Sequence, residues 1–232
     1  GCDPVAVNDA VVAHAGALGS EPGIVVIGGT GSIVLGVDAD GRTITNYDFD
    51  HYAAAAARHL GRRFAHELLA GRYCEADRHL IDDVLREWGV ADVDAAREWA
   101  IDTDALAADR SENALDTIAP TITLGAADGV PIAETVCAAA AADVVRGIDL
   151  VASAMNVTPV PIALLGSVNR SEGMRTALEA ALAESERPYE VVEPRLTPVA
   201  GAVLCSARRI EGRTDPSEFV DALAANDVCR LE

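Results

Sequence analysis

The chain has 232 residues, 37 of them acidic and 18 basic, for a formal net charge of −19, and half of it is hydrophobic. Every basic residue is Arg; Lys does not occur. This is a globular acidic protein and not a disordered tail, and its field repels nucleic acid and anionic membrane surfaces, so neither is an expected partner. Without Lys, a Walker A loop, Schiff-base catalysis and a kinase-type strand lysine are excluded within the chain.

So acidic a surface strains against itself at ordinary ionic strength, whereas molar salt shortens the Debye length to about 3 Å. Acidity combined with the missing Lys points to a high-salt cytoplasm. Five cysteines (Cys2, Cys74, Cys137, Cys205 and Cys229) form no CxxC pair, so buried free thiols in a reducing compartment are expected. No targeting segment or apolar run of membrane-spanning length is visible, and a cytoplasmic location is the expectation. The chain opens with "GCDP" and no Met, the mark expected of a fragment or processed product.

In chain order, residues 24–28, 32–37 and 42–46 read as three short strands in an antiparallel meander. Its turns are "GGTGS" and "DADG". A helix is expected over 52–70, with Leu60, Phe64 and Leu68 on one stripe. Helical stretches follow near 78–88, 93–100 and 104–119, the last ended by Pro120, and a long Ala-rich helix near 132–155. Then come a buried strand at 161–165, a Gly-Ser turn, a helix near 171–185 capped by Ser171, a strand near 189–193 and a last helix near 216–226. Strands first, then alternating helix and strand, imply an α/β fold.

Three segments carry chemistry. In "GGTGS" (28–32), small residues leave backbone N–H groups open to an approaching anion, and Thr30 and Ser32 add hydroxyls. The sequence alone leaves two readings open, a phosphate cradle and a small-residue hairpin turn. "GSVNRS" (166–171) follows the apolar strand "PIALL", where ligands collect in α/β sheets; taken alone it reads as an ordinary strand-to-helix loop. "NDA" (8–10) places a lone Asp ahead of the meander. By itself it reads as a solvated or capping residue, and it gains interest only if the cradle is real, because phosphoryl transfer to a hydroxyl often uses one positioned Asp. His59 and His66 sit seven residues apart, about 10 Å of helical rise, too far to share one ion. Together with His51 and Glu67 they read as a solvated polar face.

The order and spacing of "VNDAVVAHAGALGSEPGIVVIGGTGSIVLGVDADGR" (7–42), "IALLGSVNRSEGMRTALEAAL" (162–182) and "PVAGAVLCSA" (198–207) resemble the N-acetylglucosamine kinase and BadF/BadG/BcrA/BcrD-type ATPase family. That family lies within the sugar kinase, Hsp70 and actin superfamily. The resemblance implies a ribonuclease-H-like (actin-like ATPase) domain over 23–210, preceded at 1–22 by the tail of a mostly absent first domain and followed by a C-terminal helix at 211–232. It implies that Gly29, Thr30, Gly31 and Ser32 touch the β/γ-phosphates of ATP and that Gly166 and Ser167 form the adenosine loop. Asp9 becomes the base toward a substrate hydroxyl, and Gly201 and Ala202 lie in a helix packed by small residues against an interdomain hinge.

The cofactors implied are ATP and Mg, with no metal ligand inside the chain, because the family's first phosphate loop and metal Asp lie upstream of the NDA segment. The family's sugar-side GGWG and GDEGS stretch should fall between Arg42 and Gly61. Phe49 stands near the Trp position, but alanines replace the acidic motif. The expected function is phosphate transfer from ATP to a sugar or amino-sugar hydroxyl, or ATP hydrolysis. The alternative is a non-catalytic relic acting in association or regulation. An activator ATPase for an iron–sulfur dehydratase ranks last, since no cysteines are paired for a cluster. The expected partner is a small-molecule substrate, with a homodimer left open.

Overall fold

Gly23–Gly28 (β1) is an uninterrupted apolar strand, buried along nearly all its length, as a strand covered on both faces must be. The computed structural model describes residues 7–102, 112–211, 217–225 and 229. β1 pairs antiparallel with Ser32–Val37 (β2), which pairs antiparallel with Thr43–Thr45 (β3). On its other side β1 runs parallel to Val160–Leu165 (β4), and β4 parallel to Tyr189–Val192 (β5). The order across the sheet is β3-β2-β1-β4-β5. A parallel pair needs a crossover, and between β1 and β4 the crossover is nearly all of the helical middle of the chain.

The helices, in chain order, are Asp9–Leu18 (α1), Ala57–Leu69 (α2), Arg78–Trp88 (α3), Val93–Asp102 (α4), Glu112–Asp116 (α5), Ala119–Ala127 (α6), Pro131–Ser153 (α7), Ser167–Arg170 (α8), Glu172–Ala183 (α9), Pro198–Glu211 (α10) and Ser217–Ala224 (α11). Strand alternation sorts them into two layers. Ile24, Val26, Val34, Ile162 and Leu164 face the large core shared with α2, α3, α6, α7 and α9. Val25, Leu35, Ala163 and Leu165 face α1 through Ala10, Ala13, Ala17 and Leu18. Leu60, Phe64 and Leu68 on α2 are completely buried, each such side chain contributing about 1.5–3 kcal/mol relative to exposure.

α10 lies against α1 by its small residues. A Cβ on Gly201 would overlap the Val12 carbonyl, and one on Gly16 the Thr197 carbonyl. The two helix backbones therefore touch, which no larger side chain at either position permits.

The elements follow the sequence pattern with instructive exceptions. The helix expected from residue 52 starts at Ala57. Ala53, Ala55 and Ala56 are buried in a packed loop, because backbone groups there bond to the neighbouring strand turn. Pro120 does not end a helix; it sits in the first turn of α6, where a missing N–H costs nothing. The rest of the helix expected near 104–119 is α5 at 112–116, with 104–111 outside the described residues, as are residues 1–6 with Cys2. Ser171 stands at the N-cap of α9, yet its hydroxyl donates to the Val168 carbonyl at 2.6 Å. Of the thiols, Cys137 is buried, and burial pushes its pKa up to about 12; Cys74 is exposed and so departs from the expectation of buried cysteines.

His14, 2% exposed between α1 and β1, donates through Nε2 to the Gly23 carbonyl at 3.2 Å. Burial pushes its pKa down from 6.5 to about 4, the Gly23 hydrogen bond opposing that shift. A base held neutral by the fold binds a proton more readily once unfolded. Its contribution is therefore present above pH 6.5 and lost as pH falls toward 4. Chemical denaturation should record a loss of about 3 kcal/mol across that window attributable to this residue. His14→Gln should flatten that part of the stability–pH curve.

Candidate functional site

β1, β3 and β4 run in one direction, so their carboxyl ends share one edge of the sheet. Three loops leave from that edge: the 28–32 turn, the 46–56 segment and the 166–171 segment. α1 packs against β1 and β2, with His14 bonded to the Gly23 carbonyl at the start of β1. Two of the three segments singled out in the sequence, the 28–32 turn and the 166–171 loop, therefore lie side by side at one end of the sheet.

The 28–32 turn closes on itself, the Gly29 N–H donating to the Gly31 carbonyl at 2.9 Å. That amide is engaged inside the turn, and Thr30 and Gly31 form its exposed tip. A Cβ on Gly29 or on Gly31 would meet nothing within 4 Å, so the space over the turn is open. The loop after β3 holds the turn from one side. Ser32 Oγ donates to the Ala53 carbonyl, the Tyr47 hydroxyl donates to the Ser32 carbonyl at 2.6 Å, and the Ala57 N–H donates to the Gly29 carbonyl at 2.8 Å. Because the Ser32 hydroxyl proton is engaged, the free hydroxyl at the tip is that of Thr30.

That loop is itself pinned by Asn46, fully buried, which accepts from the Val34 N–H at 2.9 Å and donates to the His51 carbonyl at 2.6 Å. Beside it Tyr47 and Tyr52 meet edge to face with ring centroids 5.7 Å apart. Tyr52 is 71% exposed, an unusual placement for a large ring in a chain only 4% aromatic.

On the other side of β1, Gly166 has φ +86°, and a Cβ there would overlap the Gly28 backbone. Ser167, exposed, opens α8. Asn169 is fully buried and donates to the Val26 carbonyl at 3.0 Å and the Leu165 carbonyl at 3.3 Å, tying β1 to β4. Its Oδ1 is buried without a hydrogen-bond partner, and a Cβ on Gly28 would collide with the same amide. The 28–32 turn and the 166 loop are thus in direct contact.

Asp9 is exposed at the first position of α1. Asn8 is the N-cap, its Oδ1 accepting from the Ala10 N–H at 2.8 Å, and Asp9 Oδ1 accepts from the same N–H at 2.8 Å. A carboxylate there also suits the helix dipole. Among the described residues no three His, Cys, Asp or Glu side chains come together to hold a metal ion. A surface hollow of about 340 Å³ lies elsewhere, at the C-terminal end of α2, lined by Glu67, Arg72, Tyr73, Cys74 and Ile132. It belongs to none of these loops.

Sequence reasoning missed Asn169, Asn46 and the buried alanines. For Asn169 a signal existed: a lone amide immediately after a buried apolar strand, in a segment otherwise free to be a simple loop. For Ala53 and Ala57 none did, since only their backbone groups act.

A meander followed by parallel crossover strands, in the order β3-β2-β1-β4-β5, defines one ribonuclease-H-like half of an actin-like ATPase fold. Residues 5–206 match the profile of the BadF/BadG/BcrA/BcrD ATPase family, and the chain belongs to that family. Similar solved structures include a protein provisionally assigned as an N-acetylglucosamine kinase from Chromobacterium violaceum, with 23% identity over 84% of this chain and a TM-score of 0.59. Another, with the same provisional assignment and from Porphyromonas gingivalis, has 19% identity over 88% of this chain and a TM-score of 0.60. The chain spans 63% and 66% of the lengths of those two proteins. No functionally curated protein matches it.

The contact between the two loops predicts a difference between two glycines of positive φ. Gly129 (φ +76°) has open space where a Cβ would stand, whereas Gly166 (φ +86°) does not. Gly129→Ala should cost about 1 kcal/mol, the backbone penalty alone. Gly166→Ala should cost about 3 kcal/mol or more, strain and overlap together. Urea unfolding of the two variants measures both.

Proposed function

We propose that the chain binds ATP at this edge of the sheet and supports phosphoryl transfer to a hydroxyl of a small, ring-shaped acceptor such as a sugar, or hydrolysis of ATP. The observation that carries the reading is the open space over Gly29 and Gly31 directly beside the Gly166 loop. A polyphosphate fits where no Cβ intrudes, and backbone amides are the groups that would meet it. In this reading Gly29, Thr30, Gly31 and Ser32 form the phosphate turn. Thr30 contributes the free hydroxyl, and Ser32 anchors the turn to Ala53.

Gly166 and Ser167 take the adenosine side, because they follow the carboxyl end of β4 directly beside the 28–32 turn. Asp9 accepts the proton of the acceptor hydroxyl as its oxygen attacks the γ-phosphorus and ADP departs. Mg²⁺ carried by the nucleotide would supply neutralisation of phosphate charge. Tyr47 and Tyr52 stand on the β3 side of the turn, opposite the Gly166 loop, and offer a ring face to the acceptor. The sugar class is supported by the two similar structures, both provisionally assigned as N-acetylglucosamine kinases. The domain division follows the same reading: 1–22 as the end of a first domain, 23–210 as the ATPase domain and 211–232 as the terminal helix.

The test is calorimetric titration of the chain with Mg-ATP, in dilute buffer and in about 1 M KCl. Saturable binding is expected, and its absence in both conditions overturns the reading. Gly31→Val separates binding from folding, because the fold leaves room for a side chain there while the phosphate does not. Its unfolding midpoint should match wild type while its ATP affinity falls about tenfold or more, a loss of roughly 1.4 kcal/mol.

A further inference from the structure

α2 begins on the phosphate turn, since the Ala57 N–H that opens the helix bonds to the Gly29 carbonyl at 2.8 Å. Its first two turns carry Arg58, His59, Arg62 and Arg63, all half-buried. Spacings of three and four residues put them on neighbouring rows of one helix face. Three of the chain's 18 arginines thus fall within six residues of a protein with net charge −19. Side chains on a helix lean back toward its N-terminus, here toward the turn. His59 shows that lean, its Nδ1 accepting the Ala56 N–H at 3.3 Å.

Within the cluster Arg63 is paired with Asp143, while Arg62 has no carboxylate partner among the described residues. The field is net positive: burial lowers the pKa of His59, and Arg58, Arg62 and Arg63 lower it further, with only Asp143 opposing. A surface so acidic repels a polyphosphate unless cations stand at the point of binding. In a chain without Lys the permanently charged side chains that can do so, beside any metal ion carried by the nucleotide, are guanidinium groups, which grip phosphate oxygens in pairs.

We propose that the basic face of α2, with Arg62 at its centre and Arg58 and His59 beside it, is the cationic wall of the phosphate site and contacts the terminal phosphates of the nucleotide. This deepens the nucleotide reading above and rests on it.

Two measurements decide it. The first follows the His59 ring protons by NMR from pH 4 to 8, with and without inorganic tripolyphosphate. An anion at the cluster favours the charged ring, so the midpoint should rise by about half a unit or more. The second compares Arg62→Gln and Arg62→Lys with wild type for Mg-ATP and for adenosine. Arg62→Gln should lose about tenfold in ATP affinity, the scale of one charge-assisted hydrogen bond, with adenosine unchanged and Arg62→Lys recovering part of the loss.

An unmoved His59 midpoint, or wild-type ATP affinity in Arg62→Gln, overturns the proposal while leaving ATP binding itself intact. If wild type fails to bind ATP at all, the nucleotide reading falls, and the tripolyphosphate titration still decides whether the α2 face is an anion site.

Discussion

The backbone contact between Gly28 and Gly166 is the constraint on which this end of the molecule depends. β1 and β4 are parallel neighbours, so their loops leave the sheet side by side and must diverge within one residue. Gly166 manages this only at a φ of +86°, with its α-carbon against the Gly28 backbone and no room for a methyl group. Asn169 fastens the same point from below by donating to carbonyls of both strands. The glycines that look like ligand contacts in the sequence are in part glycines of necessity: Gly28 and Gly166 are small because the chain is close to itself. Gly29 and Gly31, with empty space beside them, have no such internal reason. That difference separates the packing glycines from the candidate binding glycines.

The turn is rigid for a second reason. The segment between β3 and α2 bonds to it through the Ser32 hydroxyl, the Ser32 carbonyl and the Gly29 carbonyl. Alanines at 53, 55 and 56 let this segment pack flat against the sheet edge while its backbone supplies the polar groups. The acidic motif expected in that region by family resemblance is replaced by residues whose side chains make no polar contact. The Tyr47 and Tyr52 rings are exposed on this side.

Much of the architecture was legible beforehand. The apolar strand 23–28, the two turns of the meander and the stripe of Leu60, Phe64 and Leu68 appear where hydrophobic periodicity puts them. Of the segments on which the family resemblance rested, two supply the neighbouring loops at 28–32 and 166–171, and the third forms α10 against α1. The start of α2 was not legible, because alanine favours a helix and nothing local says that the carbonyl of Ala53 is claimed by Ser32. Pro120 misled for a related reason: proline breaks a helix interior and begins a helix equally well, and only the neighbouring elements choose between the two. Asn169 shows the limit most clearly. Its identity is plain in the sequence, but its two acceptors come from strands far apart along the chain.

The sequence by itself determined the periodic elements, the absence of any lysine-dependent chemistry, the acidic surface and the family, since these follow from residue type and local order. Only the tertiary structure decided which glycines are packed and which face open space, that the Ser32 hydroxyl is engaged, and that α2 with its arginines starts at the 28–32 turn. Those are properties of contacts between segments distant in sequence, and chain closure, not local propensity, sets them.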